Sequence, residues 1–408
     1  MTEATPNKAT NDFILAHRQD DVRRLALKSA PGEVDLRLAL QQIEGWQTAT
    51  RKLPSWAATD GLLYPPRLSM EQCSSEPTAR YKQKVVREWM SRLAPASSTT
   101  TLIDLTGGFG IDFSFLAPLF DQAVYMERQP ELCHIASHNF KLLGLTQTEV
   151  RETDSTLHPE EWPEADCCFI DPARRDTQGH KTIAIEECSP DLSLLQEAIL
   201  RKARFCMAKL SPMLDIQTTL HTLPHTAEIH AVSAQGECKE LLWLMSREMP
   251  SATIFHCVNL GTDNPDFIFT KEEEAMASCS YTPTPGQFLY EPNPSIMKCG
   301  AFKSVAVRYG VEKLHPNTHL YTSDKLKKDF PGRTFRVESH TRFGKKELRS
   351  FLHDLPQANL TVRNFPETVE HLRKRLKLKE GGNVYLFAAT MADGNHELIR
   401  CRKEAPAP

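Results

Sequence analysis

Apolar positions along the chain follow two periods, and they alternate most regularly between residues 101 and 210. Short apolar runs at Leu102–Thr106, Ala123–Glu127, Thr148–Glu152, Ala165–Asp171 and Phe205–Leu210 read as strands. Between them, Ile111–Leu119, Pro130–Leu143 and Leu192–Lys202 carry the three-and-four spacing of helices. Strands that are apolar throughout belong in a sheet buried on both faces, and their alternation with helices predicts an α/β fold with a parallel sheet. Ligands of such sheets sit at the carboxyl ends of the strands. An amphipathic helix over Arg80–Leu93, opened by Ser75–Thr78, precedes the sheet; a hairpin, Glu228–Ala234 with Lys239–Ser246, follows it. Ala252–Leu260 reads as a further strand with no fixed place.

The flanks differ. Phe13, Ile14, Val22, Leu25 and Ala26 fall on one helical face, and Val34, Leu36, Leu38, Leu40 and Ile43 on a second helix expected to end near Gly45. Together they predict a helical N-terminal cap on the next domain. Pro54, Pro65, Pro66 and Pro77 bar long helices from the following stretch, whose segment Tyr64–Ser75 reads equally as a site lining or a surface strap. Beyond Thr270, Glu272–Glu274 and Tyr281–Gly286 read as a boundary or linker. Small α+β units come next: a strand at Gln287–Tyr290, a helix at Ser295–Tyr309 and a strand at His319–Thr322. The last unit has strands at Phe335–Ser339 and Asn359–Arg363, helices at Lys345–Leu355 and Glu367–Lys379, and a closing hairpin, Asn383–Ala392 with Glu397–Arg402.

Composition changes this picture in two respects. The eleven cysteines are scattered without a C-x-x-C pair, which predicts reduced thiols in a cytoplasmic protein and no metal site. The polar start and the lack of a long apolar run predict neither a signal peptide nor a membrane span. Net charge is only −3, but Lys298–Pro408 holds 22 Lys and Arg against 12 Asp and Glu, while Met1–Met297 holds 27 against 40. An acidic body with a basic end suggests a polyanionic partner for that end.

The chemistry-bearing residues collect at the predicted strand ends. In TLIDLTGGFGID, residues 101–112, Asp104 and Thr106 lead into Gly107, Gly108 and Gly110, whose missing Cβ atoms let a ligand approach the backbone. The helix that follows turns its N-terminus towards the same loop. Glu127 ends the second strand, 17 residues after Gly110, where a carboxylate meets ribose hydroxyls in doubly wound folds. Asp154 follows the third strand and is placed for the adenine edge. The fourth strand delivers Asp171 and Pro172 in DCCFIDPARRD, residues 166–176.

LIDLTGGFGID, the acids of YMERQ and ETDS, and FIDPARRD together resemble the class I S-adenosylmethionine-dependent methyltransferases over about Arg80–Ser246. The whole chain resembles bacterial methyltransferases carrying a small ferredoxin-like domain and a C-terminal THUMP-like domain. The resemblance rests on YPPRLSMEQCSSEPTARYK, QGECKELL, EPNPSIMKCGAF, KLHPNTHLYTSD and the basic end. It implies a Rossmann-like sheet with its last strand antiparallel. It also implies a helical region over 1–76, a methyltransferase domain over 77–270, a ferredoxin-like domain over 281–330 and a basic THUMP-like domain over 331–403. S-adenosylmethionine would be held by Asp104, Thr106, Gly107, Gly108 and Gly110 at its methionine end, by Glu127 at the ribose and by Asp154 at the adenine. Asp171, Pro172 and Arg174 would form the catalytic loop. Nucleic-acid amino-methyltransferases carry a second proline and an aromatic residue where this chain has Ala173 and Arg174, which weakens the case for an exocyclic amine target. Arg174 could stack on a base or hold a phosphate. RNA uracil-C5 methyltransferases share a similar loop but place a nucleophilic cysteine after the fifth strand; here Lys209, Leu210, Ser211 and Pro212 stand there, so covalent attack is disfavoured.

The expected reaction is a direct displacement that mainly requires the acceptor to be held in line, without metal or covalent intermediate. The THUMP-like end implies RNA, tRNA or rRNA. Lys345, Lys346 and Arg349 on one helix and Arg373, Lys374, Arg375 and Lys377 on another are the expected phosphate contacts. Three alternatives stay open: a dinucleotide-dependent oxidoreductase, a non-catalytic RNA-binding protein with a retained cofactor fold, and a methyltransferase acting on a protein or small molecule.

Overall fold

A computed structural model describes residues 5–27, 32–93, 98–174, 184–248 and 251–404. The chain forms two compact units, Met1–Ala227 with Leu241–Ser251, and Glu228–Glu240 with Ala252–Pro408.

In the first unit, β1 (Thr101–Asp104), β2 (Gln122–Glu127), β3 (Thr148–Glu152), β4 (Ala165–Ile170) and β5 (Ala203–Leu210) pair in parallel in the order β3-β2-β1-β4-β5. Every residue of β4 is buried, as a strand covered on both faces requires. The chain runs from the first unit into the second along β6 (Thr226–Ala234) and returns along β7 (Glu237–Ser246); β7 runs antiparallel to β5, matching Phe205 with Ser246 and Leu210 with Leu241. The parallel sheet with an antiparallel last strand is the architecture the strand pattern and the resemblance predicted.

Helices α1 (Lys8–His17) and α2 (Leu36–Lys52) begin at side-chain caps, Asn7 accepting from Thr10 N and Asp35 from Leu38 N. The expected end of the second helix near Gly45 is corrected: α2 runs through Gly45 to Lys52. Gly45 is there for packing, since a Cβ on it would stand 2.2 Å from Tyr64 Cβ. Trp56, Leu62, Leu63, Tyr64 and Met70 form one core with Phe109 and Ile111, so the N-terminal region packs on the segment that carries the glycine loop. Next come α3 (Glu76–Arg92), α4 (Ile111–Leu116), α5 (Pro130–Leu142) and α6 (Leu192–Lys202).

In the second unit, β8 (Ile254–Leu260) pairs in parallel with β6 and antiparallel with β9 (Phe267–Thr270). Glu272–Glu274 is not a linker. It belongs to α7 (Lys271–Met276), which opens with a capping box of Thr270 and Glu273. Glu274 accepts hydrogen bonds from the backbone N–H groups of Phe302, Lys303 and Ser304. The single helix expected over Ser295–Tyr309 is two, α8 (Pro294–Cys299) and α9 (Ser304–Tyr309), because the chain takes the left-handed conformation at Gly300.

A seven-stranded sheet follows, built from β10 (Phe288–Pro292), β11 (Glu312–His315), β12 (Thr318–Ser323), β13 (Gly332–Arg342), β14 (Asn359–Arg363), β15 (Val384–Thr390) and β16 (His396–Lys403), in the order β11-β12-β10-β13-β16-β15-β14. Two helices pack on it, α10 (Lys345–Phe351) and α11 (Val369–Leu376), and α11 stops earlier than expected because Lys377 is left-handed at φ 57°. No helix among the described residues is long and apolar enough to cross a membrane.

Candidate active site

The turn after β1 is fixed from below. The Asp104 carboxylate accepts from Thr106 N at 2.9 Å, and Gly107 N donates to Met126 O at 2.9 Å. Gly108 and Gly110 have φ of 61° and 82°, so only glycine sits there without strain. Gly107 is glycine for a different reason: a Cβ would stand 2.3 Å from Tyr125 Cζ. The Tyr125 hydroxyl donates to Gly108 O and pins the loop to β2.

Glu127 and Asp154 stand at the ends of β2 and β3, as the sequence places them. The Glu127 carboxylate accepts from Gly108 N and from Gln129 N, both at 2.8 Å, and is buried. Each of its oxygens keeps a further lone pair for a ligand hydroxyl. Asp154 accepts from Thr156 Oγ1 at 2.7 Å and Thr156 N at 3.0 Å; these bonds, with Arg128 behind them, hold its carboxyl below the usual range.

At the end of β4, Asp171 N donates to Thr106 Oγ1 at 2.6 Å, which ties the DPAR turn to the glycine loop. Pro172 is buried, and Ala173–Arg174 pairs antiparallel with Cys188–Ser189. The side chain of Arg174 lies outside the described residues.

The Asp171 carboxylate is in ion contact with Lys209 at the end of β5. Lys209 lies 3.5 Å from Asp112 Oδ2, Asp112 Oδ2 accepts from Ser74 Oγ at 2.7 Å, and Lys82 Nζ is 3.3 Å from Asp112 Oδ1. Lys82 is fully buried and Asp112 nearly so. Burial opposes ionisation of Asp112, but Lys82 and Lys209 outweigh it and hold its carboxyl below the usual range. Asp171, whose side chain is 39% exposed, is pushed up by its removal from bulk water while Lys209 pulls it back. The direct ion contact favours the charged form.

Asp104 differs. Burial pushes it well above the ordinary carboxylate range, against the Thr106 N–H bond, and the charges of Asp112, Asp171 and Glu127 push it further.

No spacing in the sequence marks Lys82, Asp112 or Tyr125 as site residues, and Lys209 stands out there only as a position without a thiol. Lys82 left one trace, a lysine on the buried face of α3 beside the apolar Ala79, Val85 and Val86. Ser74 belongs to the segment read as lining or strap, and the structure puts it against Asp112.

In the second unit, Lys345, Lys346 and Arg349 on α10 and Lys374 on α11 are exposed. Leu348 and Leu372 anchor these two helices in one core, so they cover the same face of the sheet. Arg373 donates to Ala358 O at 3.2 Å, Arg375 is in ion contact with Glu367, and Lys377 caps α11.

Residues 288–331 match a family model for a ferredoxin-like domain and residues 332–403 a THUMP domain-like model. No curated protein matches the chain. A solved structure described as a putative methyltransferase from Porphyromonas gingivalis W83 is 38% identical, with a TM-score of 0.84 over 97% of this chain and 98% of that one. A precorrin-6y C5,15-methyltransferase from Geobacter metallireducens GS-15 is 13% identical, with a TM-score of 0.32 over 43% of this chain and 90% of that one. An rRNA methylase from Streptococcus thermophilus is 15% identical, with a TM-score of 0.31 over 40% and 94%. Likeness at the level of these last two has no bearing on function. With the sheet, the glycine turn and the near full-length relative in agreement, the chain belongs to the class I S-adenosylmethionine-dependent methyltransferases, in the bacterial family that carries a ferredoxin-like and a C-terminal THUMP-like domain.

Proposed function

We propose that this methyltransferase uses S-adenosylmethionine to methylate a nucleotide in RNA, tRNA or rRNA, with the DPAR turn positioning the acceptor. The observation that carries the reading is the convergence of Thr106–Gly110, Glu127 and Asp171 at the carboxyl ends of β1, β2 and β4, tied together by the Asp171 N to Thr106 Oγ1 bond. The residues fit the cofactor. A Cβ at Gly108 would meet only Thr106 O, at 3.5 Å, so the loop backbone there is uncrowded; Glu127 offers acceptors to ribose hydroxyls, and Asp154 is part exposed for the adenine edge. Asp112, Glu127 and Asp171 act electrostatically on Asp104, which is itself pushed towards its neutral form, and Lys82 and Lys209 pair with Asp112 and Asp171, so the carboxylates exceed the ammonium groups by one. That balance suits a sulfonium with an ammonium group and repels a pyrophosphate, which favours this cofactor over a dinucleotide.

Bound there, the cofactor supplies an electrophilic methyl group. Asp171 accepts a hydrogen bond from the acceptor and either orients it or takes its proton, while Lys209 fixes the carboxylate and works against the upward push of its burial. Thr106 holds the Asp171 backbone so that glycine loop and acceptor turn keep their spacing. The basic balance of Lys298–Pro408 and the THUMP domain-like match support RNA docking through exposed Lys345, Lys346, Arg349 and Lys374.

The test is label transfer from S-adenosylmethionine to demodified cellular RNA by the wild type and Asp171→Ala. Transfer to RNA that falls by about 100-fold or more in the variant is the expected result for loss of a positioned acid-base group. Unchanged transfer would remove Asp171 from the mechanism, and label found in protein alone would remove RNA.

A further inference from the structure

Away from the methyl-transfer cleft, the second unit brings together Glu228 and His230 on β6 and His256 on β8. Strand register explains the meeting. β6 and β8 run parallel with His230 opposite His256, and Glu228 stands two residues before His230, so the three side chains leave one face of the sheet. Their donor atoms all lie within 4.8 Å of one another. Glu228 Oε2 is 3.1 Å from His230 Nε2 and 3.7 Å from His256 Nε2. Glu228 and His230 are 4% and 2% exposed, and the His256 side chain 16%.

We propose that these residues form a binding site for a divalent transition-metal ion, Zn2+ foremost, ligated by His230 Nε2, His256 Nε2 and the Glu228 carboxylate with water in the fourth position. Two imidazoles and a carboxylate are a recurring zinc donor set. A tetrahedral ion with bonds of about 2.0–2.1 Å holds its donors roughly 3.3 Å apart. The two carboxylate-to-imidazole separations, 3.1 and 3.7 Å, bracket that spacing.

The rings lie parallel, 4° between planes and 4.1 Å between centroids. Ring lone pairs lie in the ring plane, so two parallel stacked rings cannot both aim at one ion. Binding therefore turns one ring about its Cβ–Cγ bond, and His256, whose side chain is the more exposed of the two, is the one assigned to turn. The ion joins β8 to β6 by side chains as well as by the strand ladder, and its role is structural. No ligand-spacing signature announces it, because strand pairing alone brings His256 next to a histidine 26 residues earlier.

The full-length protein is stripped with a chelator, reloaded with Zn2+, desalted and assayed for bound metal and for thermal unfolding; Co2+ in place of Zn2+ gives a visible spectrum of the ligand field. The expected result is about one ion per chain, a rise in melting temperature on loading, and a tetrahedral Co2+ spectrum. Glu228→Gln and His256→Ala should each weaken binding by more than about 100-fold, the most that loss of an outer-shell partner costs. His158→Ala, in the exposed group His158, Glu160 and Glu161, should leave binding unchanged. On the folded wild type, the His230 and His256 ring-proton resonances should shift on loading as the stack opens. No retained ion, binding that survives both substitutions, or unmoved histidine resonances in the loaded protein would each overturn the site.

Discussion

Lys82 is the most informative residue to perturb, because it is a fully buried ammonium with a measurable partner beneath the acceptor turn. Replacing it by methionine keeps most of the stem's volume and removes the charge 3.3 Å from Asp112 Oδ1. Removing one partner of a buried pair costs about 3–5 kcal/mol, chiefly because the other charge is left in a poorly solvating interior. Asp112 retains Ser74 at 2.7 Å and Lys209 at 3.5 Å, so the lower end of that range, about 3 kcal/mol, is the expectation. For a unit of this size that corresponds to a fall of about 6–12 °C in melting temperature. All five tryptophans, Trp46, Trp56, Trp89, Trp162 and Trp243, lie in the first unit, so tryptophan fluorescence during denaturant unfolding reports on it. Asp112→Asn on the Lys82→Met background should recover a substantial part of the loss, since the stranded charge is then gone. A Lys82→Met variant within about 1 kcal/mol of wild type, or a double variant no more stable than the single one, would refute the buried pair as an energetic unit.

Two further outcomes follow from the glycine loop. Gly107→Ala places a methyl group on the Tyr125 ring and displaces the hydroxyl that holds Gly108 O, so calorimetry should register loss of S-adenosylhomocysteine binding with a stability cost of about 1–3 kcal/mol; binding at wild-type affinity would contradict the close approach. Asp104→Asn tests the raised carboxyl. The folded pKa stands above the ordinary 3.8, so over that interval the folded state holds a proton that the unfolded state has lost, and wild-type stability falls as pH rises. The asparagine variant, free of this cost, should gain on wild type from about pH 4 upward in denaturant titrations, and a difference flat in pH would show that Asp104 ionises normally.

The strand and helix pattern of residues 101–210 was legible because each period is dictated by burial on a regular surface. Thr148–Glu152 and Leu192–Lys202 agree with the structure to the residue. The strand-end positions of Glu127, Asp154 and Asp171 were legible because strand ends are local to the sequence. What escaped was set by distant packing. Gly45 looks like a helix stop until Tyr64 is placed against it, and Glu274 looks like linker until the free N–H groups near Ser304 reach it. Lys82 and Ser74 meet Asp112 from a separate helix and a separate loop, and no spacing rule records such an encounter. The same holds for Glu228, His230 and His256.

The seven-stranded sheet has a practical corollary for anyone who would treat the ferredoxin-like and THUMP-like stretches as interchangeable parts. β13 pairs with β10 on one side and β16 on the other, so it belongs to the hydrogen-bonded ladder of both stretches although the family boundary falls at its first residue. Cutting the chain there would strip β10 of its neighbour and bare a row of unpaired N–H and C=O groups, a template for aggregation. Residues 288–403 therefore form one hydrogen-bonded sheet, and a graft of the basic end onto another enzyme should carry β10 with it.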